Sequence, residues 1–170
     1  MSFKERYHFA KLALFNARLL SELAGSSNPA VARAVDVCAK KNGFQESVPL
    51  INQAVFLQMA YVCLVWLWEG VKLEKKESSL TNTLFDGEFN LPAVSVWEGQ
   101  RKHEASEVLR LLRNAISHGR VHVSEGNFRF EDQKPDGSDK AALTISWAYL
   151  GQLCERVIHK LTSVAYPVRD

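Results

Sequence analysis

The side chains best suited to chemistry gather in one stretch, Leu109–Arg120, which reads LRLLRNAISHGR. It holds Arg113, a polar Asn114 directly after it, and His118 followed by Gly119. On a helix, residues four apart lie about 40° apart, so Asn114 and His118 share a face. Arg113 lies about 140° from His118 by the same rotation, and only its long side chain could bring the guanidinium near the imidazole. These types suit acid–base chemistry at a phosphate ester, which takes a proton from one oxygen, supplies one to another and neutralises the charge that develops between them. Histidine serves acid–base steps near neutrality. Arginine stays charged and grips phosphate oxygens bidentately. Asn114 could orient the histidine or the ribose.

Arg110, one turn before Asn114, and Arg120, just past the helix, are candidates to extend a cationic, RNA-binding cleft. From Arg101 to Arg120 five Lys/Arg stand against Glu104 and Glu107. The competing reading is a solvated helix end, with His118 and Arg120 favouring the negative end of the dipole and Asn114 facing water. Arg-x4-His alone is common by chance; a polar residue after the Arg and a glycine after the His make the pattern more specific.

The elements that must position these residues read as a mainly α bundle of four or five helices with a small antiparallel hairpin before the last. A first helix is expected over Phe3–Ala24, where Phe9, Leu12, Ala13, Phe15, Leu19, Leu20 and Leu23 recur near helical spacing. Asn28-Pro29 starts a second, carrying Val31, Ala34, Val35 and Cys38 and stopping near Asn42-Gly43. The third runs from about Pro49 to Lys75 and is apolar almost all round from Val55 to Trp68, as the central helix of a bundle is. Glu77–Pro92 reads as a polar connection, long enough that part of it should be ordered or functional. Ser95-Val96-Trp97-Glu98 has the spacing of a capping box for the motif helix. Ala105, Val108, Leu109, Leu112, Ala115 and Ile116 form that helix's buried stripe, and Gly119 is its αL stop. Arg120–Val123 and Phe128–Glu131 alternate around a turn, Ala142–Ile145 offers a third strand, and a last helix spans about Trp147–Val164.

The chain of 170 residues is the length of one domain, and its 46% hydrophobic and 24% charged residues describe a globular protein. A formal charge of +2 excludes coating of nucleic acid by bulk electrostatics, so phosphate binding needs a local cluster of cations. Cys38, Cys63 and Cys154 are odd in number and form no CxxC pair, which argues against a zinc ribbon or disulfide scaffold. No P-loop or GxGxxG is present, and no metal or cofactor is expected. The first twenty residues mix charges among apolar residues, unlike a signal peptide, and Ala54–Trp68 is short for a membrane span. A cytoplasmic setting is the expectation. Trp66 and Trp68 read as core, Cys38, Cys63 and Cys154 as small buried residues, and His122 as an exposed strand position.

Arg113, Asn114 and His118 resemble the motif of the HEPN family (higher eukaryotes and prokaryotes nucleotide-binding), whose ribonuclease members carry Arg, a polar residue, three further residues and His. The resemblance is specific over about Val108–Val123 and rests elsewhere on helix order. The hairpin departs from the minimal bundle and is similar to elaborations in HEPN proteins of plasmids and other mobile elements. The resemblance implies two motif helices meeting at a homodimer interface, with a composite site of two arginines and two histidines. It further implies a metal-independent endoribonuclease, catalytic residues Arg113, Asn114 and His118, and a toxin or defence role. A nucleotidyltransferase-like antitoxin is the partner it suggests. The alternatives are a HEPN-like module that binds nucleotide or RNA without cutting it, and a structural bundle that simply dimerises.

Overall fold

The computed structural model describes residues 1–75, 77–85, 89–98 and 102–166. Helix α1 (Phe3–Ala24) opens with a reciprocal cap: the Ser2 hydroxyl accepts from the Glu5 N–H, and the Glu5 carboxylate accepts from the Ser2 N–H at 2.7 Å. Helix α2 (Pro29–Lys41) begins as its sequence spells, with Asn28 Oδ1 accepting from the Ala30 N–H at 2.9 Å and Pro29 at the first position. Then α3 (Gln53–Ala60), a π-helical stretch (Tyr61–Trp66) and α4 (Leu67–Leu73) run as one helix, capped by Asn52. This continuous helix has 21 residues, long and apolar enough by composition to cross a membrane, longer than the apolar run alone suggested. It is the core of the domain: Cys63, Leu64, Leu67, Trp68 and Val71 are buried, and α1, α6 and α7 pack around it.

The expected connection after Lys75 contains a further helix, α5 (Glu77–Leu84), whose Leu80 and Leu84 enter the core. Two leucines four apart are enough to dock one short helix face on α6 and α7. The sheet is larger than the expected hairpin. Strands β1 (Val94–Trp97), β2 (Val121–Ser124), β3 (Asn127–Asp132) and β4 (Ala141–Ser146) form an antiparallel sheet in the order β1-β4-β3-β2. Ser95 and Glu98 therefore do not cap the motif helix. The Ser95 hydroxyl donates to the Ala142 carbonyl at 3.0 Å, and the Glu98 N–H donates to the Lys140 carbonyl at 2.8 Å. Val94-Ser95-Val96-Trp97 alternates with period two, and pairing with β4 outcompetes the local cap.

Motif helix α6 (Ala105–Ser117) starts instead after Glu104, which is extended and makes no side-chain cap. Its Val108, Leu109, Leu111, Leu112 and Ala115 are buried between the central helix, α5 and β3. On β3, Phe128, Phe130 and Asp132 are the buried positions and Asn127, Arg129 and Glu131 the more exposed ones. Helix α7 (Trp147–Lys160) is capped by Ser146, whose hydroxyl accepts from the Tyr149 N–H at 3.1 Å. The expected last helix is interrupted at Leu161, and α8 (Thr162–Ala165) follows. The first helix has the expected bounds, but most of the recurring apolar residues are not the ones the domain covers. Phe3, Tyr7, Ala10 and Leu14 are buried, whereas Phe9, Leu12, Phe15, Leu19 and Leu23 are exposed. Cys63 and Cys154 are buried as expected, but Cys38 is exposed, because α2 buries only Ala39.

Candidate functional site at the end of the motif helix

Helix α6 stops where its sequence dictates. Gly119 adopts φ +66°, the Arg120 N–H donates to the Ala115 carbonyl at 2.8 Å, and the Gly119 N–H reaches the Ile116 carbonyl at 3.4 Å. This double turn satisfies two carbonyls that a helix end otherwise leaves unpaired. The Glu131 N–H donates to the Arg120 carbonyl at 3.1 Å, which ties the turn to β3. His118 is the capping residue of this turn. Its side chain is exposed and makes no hydrogen bond or ion pair with the described residues.

One turn earlier, the Asn114 amide donates to Asp132 Oδ2 at 3.1 Å. Asp132 is only 5% exposed, and a buried carboxylate needs such partners. Arg120 adds a cation: its Nη1 lies 4.0 Å from Asp132 Oδ1 and donates to the Gln133 carbonyl at 2.9 Å. Asn114, His118 and Arg120 thus belong to one end of the helix, with Asp132 anchoring the first and the third.

Arg113 turns the other way. Its Nη2 donates to Glu69 Oε1 at 3.0 Å, and its Nη1 lies 3.5 Å from Glu77 Oε1. The guanidinium stands 5.7 Å above the ring of Trp68, whose indole N–H donates to the same Glu77 oxygen at 2.8 Å. The Arg113 side chain is 13% exposed and its buried Nε has no hydrogen-bond partner among the described residues. Burial lowers its pKa from the ordinary value while Glu69 and Glu77 oppose that shift. A guanidinium keeps its proton through such changes. Within one chain, then, Arg113 binds carboxylates of α4 and α5, away from the group that Asn114 and Arg120 form on β3. Arg110 is also engaged, giving two hydrogen bonds to Glu107 Oε2 at 2.6 and 3.0 Å, so it offers little free charge. Arg101 lies outside the described residues.

Sequence reasoning missed the carboxylates. Asp132 left a signal: it continues the alternation Phe128, Phe130, Asp132 onto the buried face, and an acid there demands a donor. Glu69 closes the apolar run of the central helix, one residue after Trp68. Glu77 left none, because its role depends on how α5 folds back. Chemically, the arrangement presents a free imidazole on a rigid turn, an amide and a guanidinium fixed by one buried carboxylate, and a second guanidinium held in a carboxylate and indole clamp.

No curated protein and no solved structure matches the chain. A family model described as HEPN pEK499 p136 matches residues 5–166, from the first turn of α1 to the end of α8. That span takes in the motif helix, the sheet and the helices on either side, and the fold is the mainly α arrangement that the motif implied. By this match the chain belongs to the HEPN family, in its pEK499 p136 group.

Proposed function

We propose that the chain is a metal-independent endoribonuclease acting through His118, Asn114 and Arg113. The observation that carries this reading is the exposed imidazole of His118 on the helix-end turn that precedes Arg120, one turn after Asn114, with no hydrogen-bond or ion-pair partner among the described residues. Membership of a family of nucleases and nucleotide-binding modules supports it. In the reaction the ribose 2′-oxygen attacks phosphorus and the bond from phosphorus to the 5′-oxygen breaks. The products are a 2′,3′-cyclic phosphate and a 5′-hydroxyl. One proton leaves the 2′-oxygen and one arrives on the 5′-oxygen. Two such transfers suit two imidazoles, one from each copy of a homodimer whose motif helices meet. Arg113 would grip phosphate oxygens in exchange for Glu69, Arg120 would guide the strand, and Arg110 would join it on releasing Glu107. A cytoplasmic toxin or defence effector of a bacterial mobile element, held in check by a nucleotidyltransferase-like antitoxin, is the role this chemistry fits.

A second reading, a HEPN module that binds RNA or nucleotide without cutting, is favoured by the clamp on Arg113, since Glu69 and Glu77 already occupy its guanidinium. Labelled RNA incubated with the protein in EDTA separates the two. Cleavage leaving cyclic phosphate ends, lost in both His118→Ala and Arg113→Ala, supports the nuclease. Binding without cleavage supports the module. Equal cleavage by all three proteins rejects the site.

A further inference from the structure

Between α1 and α7 lies an open groove of about 1180 Å³. One wall is a row on α1, Lys11, Phe15 and Arg18, spaced four and three and therefore on one face. All three are exposed, Phe15 at 59%. Across from them His159 of α7 is also exposed. Beneath, Leu14 and Ile158 are buried and the Tyr7 hydroxyl is hydrogen-bonded to Thr162 Oγ1 at 2.8 Å. Phe89, stacked on Tyr149 with ring centres 4.7 Å apart, adds a further ring to the lining. We propose that this groove binds single-stranded RNA at a site separate from the end of the motif helix, since none of Arg113, Asn114 and His118 lines it.

Charge points to a polyanion. The lining holds Lys11, Arg18, Arg156 and Lys160 against Glu155, a net of +3, while the whole chain carries +2. Everything outside the groove therefore sums to −1, and a chain too weakly basic for bulk electrostatics gathers its cations here. Arg18 pairs with Glu155 at 3.0 Å, and the two side chains are 65% and 44% exposed. A pair so solvated contributes little, so a phosphate can take over the guanidinium at small cost. Size points to a chain molecule, because the volume exceeds the roughly 300–1,000 Å³ of small-ligand clefts. Phe15 points to nucleic acid rather than an acidic peptide. An exposed ring with a cation one turn away on either side offers a base a stacking face and gives the flanking phosphates a partner each. The choice of RNA as that nucleic acid rests on the ribonuclease reading above.

Fluorescence anisotropy of a labelled uridine RNA of about 12 nucleotides tests the groove. The full chain carrying His118→Ala serves as parent, in EDTA, so that the strand stays whole. Lys11→Ala with Arg18→Ala should weaken binding on the order of tenfold near 0.1 M salt and flatten the plot of log affinity against log salt by about 1.4, the loss of two phosphate contacts on a single strand. Phe15→Ala should weaken binding about fivefold or more with that slope unchanged. Both variants should keep the parent's circular dichroism and Tm, since the three positions are exposed. Affinity equal to the parent's in either variant overturns the proposal and leaves the nuclease reading standing, because cleavage by the wild type judges that reading. A wild type that never cuts RNA, with affinity lost in both variants, keeps the groove and rejects the nuclease. Polyglutamate of the same length that binds as tightly as the RNA, and is lost in the same variants, assigns the groove to an acidic protein and overturns the choice of occupant.

Discussion

Arg113 and His118 are expected to be equally necessary for cleavage and unequal for stability. Truncating Arg113 to alanine removes two ion pairs whose carboxylates, Glu69 and Glu77, are 49% and 45% exposed. Half-solvated pairs of this kind contribute roughly 0.2–1 kcal/mol each. The stacking of the guanidinium on Trp68 adds about 0.5–1 kcal/mol. The buried aliphatic stem contributes a further ~0.5–1 kcal/mol in lost packing. Against this stands the gain from no longer desolvating a guanidinium whose Nε has no partner. The net is about 2 kcal/mol, or a fall of roughly 4–8 °C in Tm for a chain of this length. His118→Ala removes an exposed side chain without partners among the described residues and should stay within about 0.5 kcal/mol of wild type. Arg113→Lys keeps the charge but loses the planar fork and the stacking, so it should fall between the two.

Urea melts and thermal melts of the three variants, run beside the RNA assay, measure this split. Two results would refute the reasoning. If Arg113→Ala melts with the wild type, the clamp formed by Glu69, Glu77 and Trp68 contributes nothing. If His118→Ala falls as far as Arg113→Ala, the imidazole is a structural part of the helix end rather than a free reactive group.

Three other substitutions or probes address the remaining parts of the site. Asn114→Ala should cost about 1.5–2 kcal/mol by removing a donor from the buried Asp132, whereas Asn114→Asp should cost more at pH 7.5 and recover part of the loss at pH 5.5. Two adjacent carboxylates raise a folded-state pKa, the folded protein then binds more protons than the unfolded chain, and stability falls as pH rises; urea midpoints at both pH values read the difference. Gly119→Ala meets no atom within 4 Å, so its cost should be the backbone penalty of φ +66°, about 1–2 kcal/mol in a urea melt, with frayed exchange protection at the end of α6. In a native thiol titration only Cys38 should react, because Cys154 is fully buried, with its thiol pushed up first by its contact with Cys63 and then by burial; full denaturation should release all three.

What the sequence made legible follows the range of the interactions involved. Helix starts at Asn28-Pro29 and the stop at Gly119 are set by neighbours within four residues, and they stand where the residues place them. The hairpin around Gly126 was legible for the same reason. Ser95 was misread because its local pattern fits two structures at once. A serine three residues before a glutamate caps a helix, but the same four residues alternate as a strand, and only the presence of β4 decides. The buried face of α1 was not legible, because that helix has two apolar stripes and periodicity cannot say which one the domain covers. The motif triplet was found by spacing alone, while its partners on β3, α4 and α5 come from 18 to 44 residues away in the chain.

The clamp on Arg113 and the exposed face of α1 meet at one place. Phe9 packs edge-on against Trp66 at 5.7 Å, and Arg6 donates to the Trp66 carbonyl at 2.7 Å while its guanidinium lies over the same ring. Trp66 ends the π-helical stretch from which α4 continues, and α4 carries both Trp68 and Glu69. Phe9 on α1 is thereby linked through Trp66 to α4, whose Glu69 accepts from Arg113 of α6. A phosphate reaching Arg113 must displace Glu69, whose other contact is the exposed Lys72 at 3.3 Å. That exchange is a local one: Glu69 keeps a lysine, Glu77 keeps the indole N–H of Trp68, and Arg113 gains two phosphate oxygens for one carboxylate oxygen. Glu69→Gln should therefore tighten RNA binding by weakening the competitor while keeping the side chain's shape. If it weakens binding instead, Glu69 positions the guanidinium for RNA rather than competing for it.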